Sequence, residues 1–150
     1  MIIDKADGIL DLTMRHFGRA EKTLPVTGKD GLAMTVEDVR AVLGARVLVG
    51  KEHLDREVRT ACGSDMMSDV LAFVNDQSVL ITGLCNPQVI RTAEMMDIVC
   101  LVFVRGKVPD ENMIQLAAQR DIAVLSTQLP MFSACGILYS AGLRGGASIG

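Results

Sequence analysis

The stretch Ser78-Val-Leu-Ile-Thr-Gly-Leu-Cys-Asn-Pro-Gln-Val-Ile-Arg-Thr-Ala-Glu-Met-Met-Asp-Ile-Val-Cys-Leu-Val-Phe-Val104 decides the fold. Ser78–Thr82 is apolar without alternation, the pattern of a strand covered on both faces. Asn86 then supplies a capping side chain, and Pro87 takes the first helical position. Val89, Ile90, Ala93 and Met96 recur on one helical face. Ile98–Val104 is the best strand in the chain: unbroken, rich in β-branched residues and bounded by Arg105-Gly106. Strand, amphipathic helix, strand makes a βαβ unit with parallel strands.

The same alternation extends in both directions. Upstream, Thr35-Val-Glu-Asp38 opens a helix as a capping box with Asp in place of Glu. Val36, Val39, Val42 and Leu43 form its apolar stripe, and Gly44 ends it. Ala45–Val49 and the weaker Val58–Cys62 read as strands. Ser64 is the expected cap of a helix with Met67, Val70, Leu71 and Val74 on one face. Downstream, Pro109-Asp110 begins a helix that buries Met113, Ile114, Leu116 and Ala117. Ile122–Leu125 is a strand, and Ser126/Thr127 with Pro130 open a last helix running to about Ala141. The expected fold is α/β, in three layers, with a mostly parallel sheet and helices on both faces. Residues 34–142 form the expected domain. Residues 1–33, with a short helix over Ile3–Arg15 and a Gly/Pro-rich loop over Thr23–Gly31, read as an extension or linker with partial disorder. Residues 143–150 read as a flexible tail.

Composition narrows the function classes. At 150 residues, with 49% hydrophobic and 22% charged, the chain fits one packed domain. Lys+Arg is 15 against Asp+Glu 18, a net charge of −3, so no positive field draws nucleic acid. Aromatics are only 3%, which leaves few stacking platforms for bases. The longest apolar run, Ile98–Val104, is far short of the roughly 20 residues a membrane span needs. Met1–Asp7 carries early acidic residues and no apolar h-region, so a cytoplasmic location is expected. Cys62, Cys85, Cys100 and Cys135 form no C-x-x-C pair, and His16 and His53 are the only histidines. No metal or cofactor is expected, and the thiols should be reduced. Cys100 and Cys135 sit in apolar runs and read as small core residues.

A parallel sheet places the turn after each strand on one edge, where ligands of such sheets bind. Three turns should meet there: Thr82–Asn86, Arg105–Lys107 and Ser126–Gln128. Each precedes a helix N-terminus with free N–H groups. The candidate ligand-binding residues are therefore Thr82, Gly83, Asn86, Arg105, Gly106, Lys107, Ser126 and Thr127, facing a small anion, a phosphate ester or a nucleotide. The plainer reading makes Thr, Asn and Ser helix caps and the two cations solvated loop charges. Gly83 and Gly106 serve either close backbone approach or positive φ. Arg91 either reaches back to this edge or pairs with Glu94. Cys85 lies just before a helix start, which lowers thiol pKa and makes it the most reactive candidate; the alternative is an inert half-buried thiol. No phosphate loop, G-x-G-x-x-G after a strand or G-x-S-x-G elbow is present. Asp65, Asp69, Asp76 and Asp97 are scattered, and His53 falls in a polar stretch expected to be exposed. No catalytic residue is assigned.

Val79–Ile98, then Leu101–Lys107, then Ala123–Thr127, resemble the DRTGG domain, itself similar to the amino-terminal domain of HPr kinase/phosphorylase. Thr35–Leu43 and Leu54–Val58 resemble its usual opening, so the likeness covers about residues 34–142. The Asp-Arg-Thr-Gly-Gly string itself is absent, and Leu84-Cys85-Asn86 follows Thr82-Gly83. The resemblance implies a small α/β regulatory module, found alone or joined to phosphotransacetylase, CBS and kinase domains. Some stand-alone members look like companions of iron-only hydrogenase systems, which implies a regulatory protein partner of that kind. Kinase activity is not implied, because the kinase phosphate loop of HPr kinase/phosphorylase lies in its other domain. The leading expectation is a non-enzymatic regulatory or sensory module that binds a small anionic ligand, a protein partner or both. A structural homo-oligomerisation module, most simply a dimer, is the alternative, given Met66, Met67, Met95, Met96 and Met131. A third is an enzyme handling phosphate or acyl groups with Cys85 as nucleophile.

Overall fold

Apolar strands flanked by capped helices produce the expected layers. The computed structural model describes residues 34–74 and 77–146; the readings made for residues 1–33, Asp76 and residues 147–150 lie outside them. In chain order the elements are β1 (Met34–Thr35), α1 (Val36–Leu43), β2 (Arg46–Val49), a 3-10 turn (Lys51–His53), β3 (Glu57–Val58), β4 (Thr60–Gly63) and α2 (Met67–Phe73). There follow β5 (Ser78–Thr82), α3 (Pro87–Met95), β6 (Cys100–Phe103), α4 (Glu111–Gln119), β7 (Ala123–Ser126) and α5 (Met131–Ser140). The main sheet runs β2-β7-β6-β5-β4. β4 to β7 are parallel, and β2 joins β7 antiparallel at the outer edge. β1 and β3 form a separate antiparallel pair.

Alternate residues of each buried strand feed two cores. Val79, Ile81, Val102 and Leu125 pack with Val39 and Val42 of α1 and Ala134 and Leu138 of α5. Leu80, Leu101, Phe103 and Val124 pack with Val70 of α2, Ile90 and Ala93 of α3, and Met113 and Ala117 of α4. The sheet is thus the middle of three layers. No helix among the described residues is long and apolar enough to cross a membrane.

Local chemistry explains the helix ends. Thr35 accepts from the Asp38 N–H at 3.2 Å while Asp38 accepts from the Thr35 N–H at 2.9 Å, completing the capping box. Gly44 is left-handed at φ 57° and closes α1. Asn86 and Asp110 cap α3 and α4.

Several expectations need correction. The strand read over Val58–Cys62 is two strands, because Val58 pairs with Met34 while Thr60 pairs with Ser78. Ser64 does not cap α2. Its hydroxyl accepts from the Met66 N–H just outside the helix, and Met66 takes the cap position without a side-chain bond. Leu71 faces solvent at 44% exposure rather than joining the Val70 face. Pro130 holds the cap position of α5 and no side chain caps the helix, so Ser126 and Thr127 do not open it. His53 is half-buried beside Arg56, Glu52 and Asp121. Leu143, where the tail was expected to begin, is buried, and the Ala61 N–H donates to the Arg144 carbonyl at 3.0 Å.

Phe103 is fully buried, whereas Phe132 is 91% exposed. In guanidinium unfolding, Phe103→Ala should cost about 3–5 kcal/mol. Phe132→Ala should stay within about 0.5 kcal/mol. Equal losses would contradict this placement of the core.

Candidate functional site

The carboxyl ends of three parallel strands stand side by side. Thr82 pairs with Phe103, and Phe103 with Ser126. At a strand spacing of about 4.8 Å, the rim they form is about 10 Å wide. Backbone bonds tie the turns together. The Val104 N–H donates to Thr82 at 3.1 Å, Thr127 to Phe103 at 2.9 Å, Gly106 to Thr127 at 2.8 Å and Arg105 to Leu129 at 2.9 Å. The structure therefore brings Thr82, Gly83, Arg105, Gly106, Lys107, Ser126 and Thr127 to one edge, and Asn86 follows at the start of α3.

The Val104–Lys107 turn is closed by the Lys107 N–H on the Val104 carbonyl at 3.1 Å. Its two central residues are left-handed, Arg105 at φ 56° and Gly106 at φ 67°. Among the described residues, the other left-handed non-glycine positions, Gln77, Asp97 and Asp121, sit just before a strand, where the chain leaves a helix, and Arg105 alone holds this conformation after a strand, at a cost of about 1–2 kcal/mol. Gly106 suits its left-handed φ; a Cβ there would meet only the amide end of the exposed Gln128 side chain, which can move aside. Gly83 is not left-handed, and a Cβ there would meet only ordinary contacts at 3.5 Å, among them Nη2 of Arg105.

The polar groups of the rim are largely spoken for. Lys107 Nζ donates to the Gly83 carbonyl at 2.7 Å, and the Ser126 hydroxyl donates to the Lys107 carbonyl at 2.8 Å. Thr127 is buried, and its hydroxyl donates to the Leu43 carbonyl at 2.8 Å, pinning α1 beneath the rim. Asn86 accepts from the Gln88 N–H at 2.9 Å. The guanidinium of Arg105 is exposed and has no hydrogen bond or ion pair among the described residues. Arg91 is exposed too, and its expected partner Glu94 pairs with Arg120 instead, at 3.3 Å.

Two residues escaped the sequence reading. Asp65, in the β4–α2 loop, accepts the Gly83 N–H at 2.7 Å and the Thr82 hydroxyl at 3.0 Å, both on Oδ1. Arg46, at the start of β2, lies opposite Ser126 and is exposed, adding a cation to the same edge. The antiparallel direction of β2 puts it there. Nothing in local spacing marks Asp65, although its place after a strand resembles that of the other rim residues.

Cys85 is an exposed residue, yet partial burial of its sulfur pushes its pKa up; the nearby Lys107 ammonium pulls the other way, and Asp110 adds to the rise. Burial thus outweighs the ammonium and favours the neutral thiol. Cys135 is half-buried rather than a core residue, while Cys100 is buried and its pKa is pushed far up by burial. Among the described residues, no group of His, Cys, Asp and Glu side chains is arranged to hold a metal ion.

Sheet, covering helices and cation-bearing edge define a small three-layer α/β domain with a polar rim at its strand ends. The chain belongs to the DRTGG domain family, whose model matches residues 38–141. No curated protein matches it. Its fold is similar to that of a solved structure of the CBS and DRTGG domains from the regulatory region of Clostridium perfringens pyrophosphatase, complexed with the activator diadenosine tetraphosphate. The TM-score is 0.60 at 16% identity over 72% of this chain. The match spans 47% of that chain, about half its length.

A raised thiol pKa keeps the reactive thiolate scarce at neutral pH. Peptide-mapped alkylation with iodoacetamide should label Cys85 before Cys100. The Cys85 rate should still be climbing as pH passes the ordinary thiol value. A rate already at its plateau below that value would contradict the assigned environment.

Proposed function

We propose that this domain is a non-enzymatic regulatory module whose strand-end rim binds a small anionic ligand, a phosphate ester or a nucleotide. The observation that carries this reading is the Gly83 amide, which holds a carboxylate oxygen at 2.7 Å with Arg105 and Lys107 beside it. A position that already accepts one oxyanion from within the chain has the donors and charge to accept another. Membership of the DRTGG family and the nucleotide complex of the fold neighbour support the same class of ligand. Arg105 would then use its left-handed turn to hold a free guanidinium at the rim, and Arg46 would extend the cationic edge toward longer phosphate chains. Control would work by population shift. A tenfold preference for one arrangement of the turns supplies about 1.4 kcal/mol.

Thermal melts with phosphate, acetyl phosphate, ATP, cyclic nucleotides and diadenosine tetraphosphate test this. At 100 times Kd, a ligand should add about 2.7 kcal/mol of stability. Arg105→Ala should weaken binding about tenfold, the loss of one charge-assisted bond, without unfolding the domain. No shift with any of these anions would sink the reading.

A second reading, self-association, rests on α5. Phe132 is 91% and Tyr139 60% exposed on this helix, which is apolar on its outer side as well as its inner one. Light scattering that finds only monomer at high concentration would end it.

A further inference from the structure

We infer that Asp65 is a built-in competitor for the anion site: its carboxylate fills the donor pair that an incoming oxyanion needs, so a ligand binds only when the β4–α2 loop releases it. This rests on the anion-site reading given above and adds a means of regulating it. Asp65 does not stabilise its own helix. It stands one residue before the cap position of α2, Met66, and that helix start receives no side-chain bond. Instead its Oδ1 reaches across to the turn after β5 and takes the Gly83 N–H at 2.7 Å and the Thr82 hydroxyl at 3.0 Å. One carboxylate oxygen thus draws two donors, the pattern of oxyanion recognition.

The cover is complete while Asp65 is in place. Gly83 is buried and Thr82 is 0% exposed, so neither donor reaches an outside ligand. Asp65 also forms no ion pair among the described residues, although Lys107 is bonded to the adjoining carbonyl of Gly83. The held carboxylate is therefore bound by neutral donors, and the charge of Lys107 and Arg105 remains for a second anion to exploit. The latch is light. Asp65 and Met66 are both exposed, so moving them takes neither side chain out of a core. What holds the loop nearby is the Ser64 N–H on the Ile81 carbonyl at 3.0 Å. Release would change the surface at the start of α2, where Met66 is 60% and Leu71 44% exposed, and so gives ligand binding an output a partner can read.

A competing closed state lowers apparent affinity by the fraction of open molecules. Isothermal titration of the full chain with ATP, as wild type, Asp65→Asn and Asp65→Ala, tests this. Asp65→Ala removes the competitor and should bind ATP about tenfold tighter or better. Asp65→Asn keeps an accepting oxygen without the charge and should gain less. Asp69→Asn, at an exposed position of α2, removes the same charge without touching the donors and should stay within about twofold of wild type. If both Asp65 variants bind no tighter than wild type, or if Asp69→Asn gains as much, the competitor role is wrong and the anion site survives. If no form binds ATP or any other anion tried, the competitor and the site fall together. Should Asp65→Ala not fold, judged by circular dichroism, Asp65→Asn decides alone.

Discussion

Everything at the rim depends on the parallel register that sets Thr82, Phe103 and Ser126 in line across three neighbouring strands. Parallel pairing forces a crossover helix after each strand, so each strand end is also the approach to a helix start. The register then fixes how far apart the turns stand. A shift by one residue would turn Phe103 out of its core and carry Thr82 away from its neighbours. Burial of Phe103, Leu80 and Leu101 on one face, and of Ile81 and Val102 on the other, makes such a shift expensive. Core packing is in this sense what positions the polar edge.

Within that edge there is a division of labour. Thr127 and Ser126 spend their hydroxyls on the Leu43 and Lys107 carbonyls, so they hold the frame. Gly106 is needed for the shape of its turn. Thr82, the Gly83 amide, Arg105 and Lys107 are the groups with chemistry to offer, and the first two are held by Asp65. A buried amide satisfied by a carboxylate costs the fold nothing while no ligand is present. On the proposed reading, the same arrangement would keep the site from opening to every passing anion.

Much of this was legible in the sequence, and for a physical reason. Unbroken apolar strands and capped amphipathic helices are local signals, and they place β5, β6, β7, α3 and α4 and the convergence of their turns. What stayed hidden depends on distance along the chain. Asp65 lies 18 residues from Gly83 and meets it only because β4 pairs with β5. Arg46 joins the edge because β2 runs antiparallel, a direction that no feature of Arg46–Val49 reveals. Thr127 read as a binding residue because its type suits a ligand, but its hydroxyl is used by a carbonyl 84 residues away. For Cys85 the sequence leaves a reactive and an inert thiol both open, and partial burial, which outweighs the nearby Lys107 charge, favours the inert one.

On the proposed reading an anion binds at the strand-end edge of β5 and β6, and amide proton and nitrogen chemical shifts followed during an ATP titration locate it. Movement is expected at Gly83, Leu84, Gly106 and Lys107. Gly50, which lies against Ala123 at the other end of β7, should stay still. Shifts gathered around Tyr139 and Arg144, or none at Gly83 under saturating ATP, would contradict it.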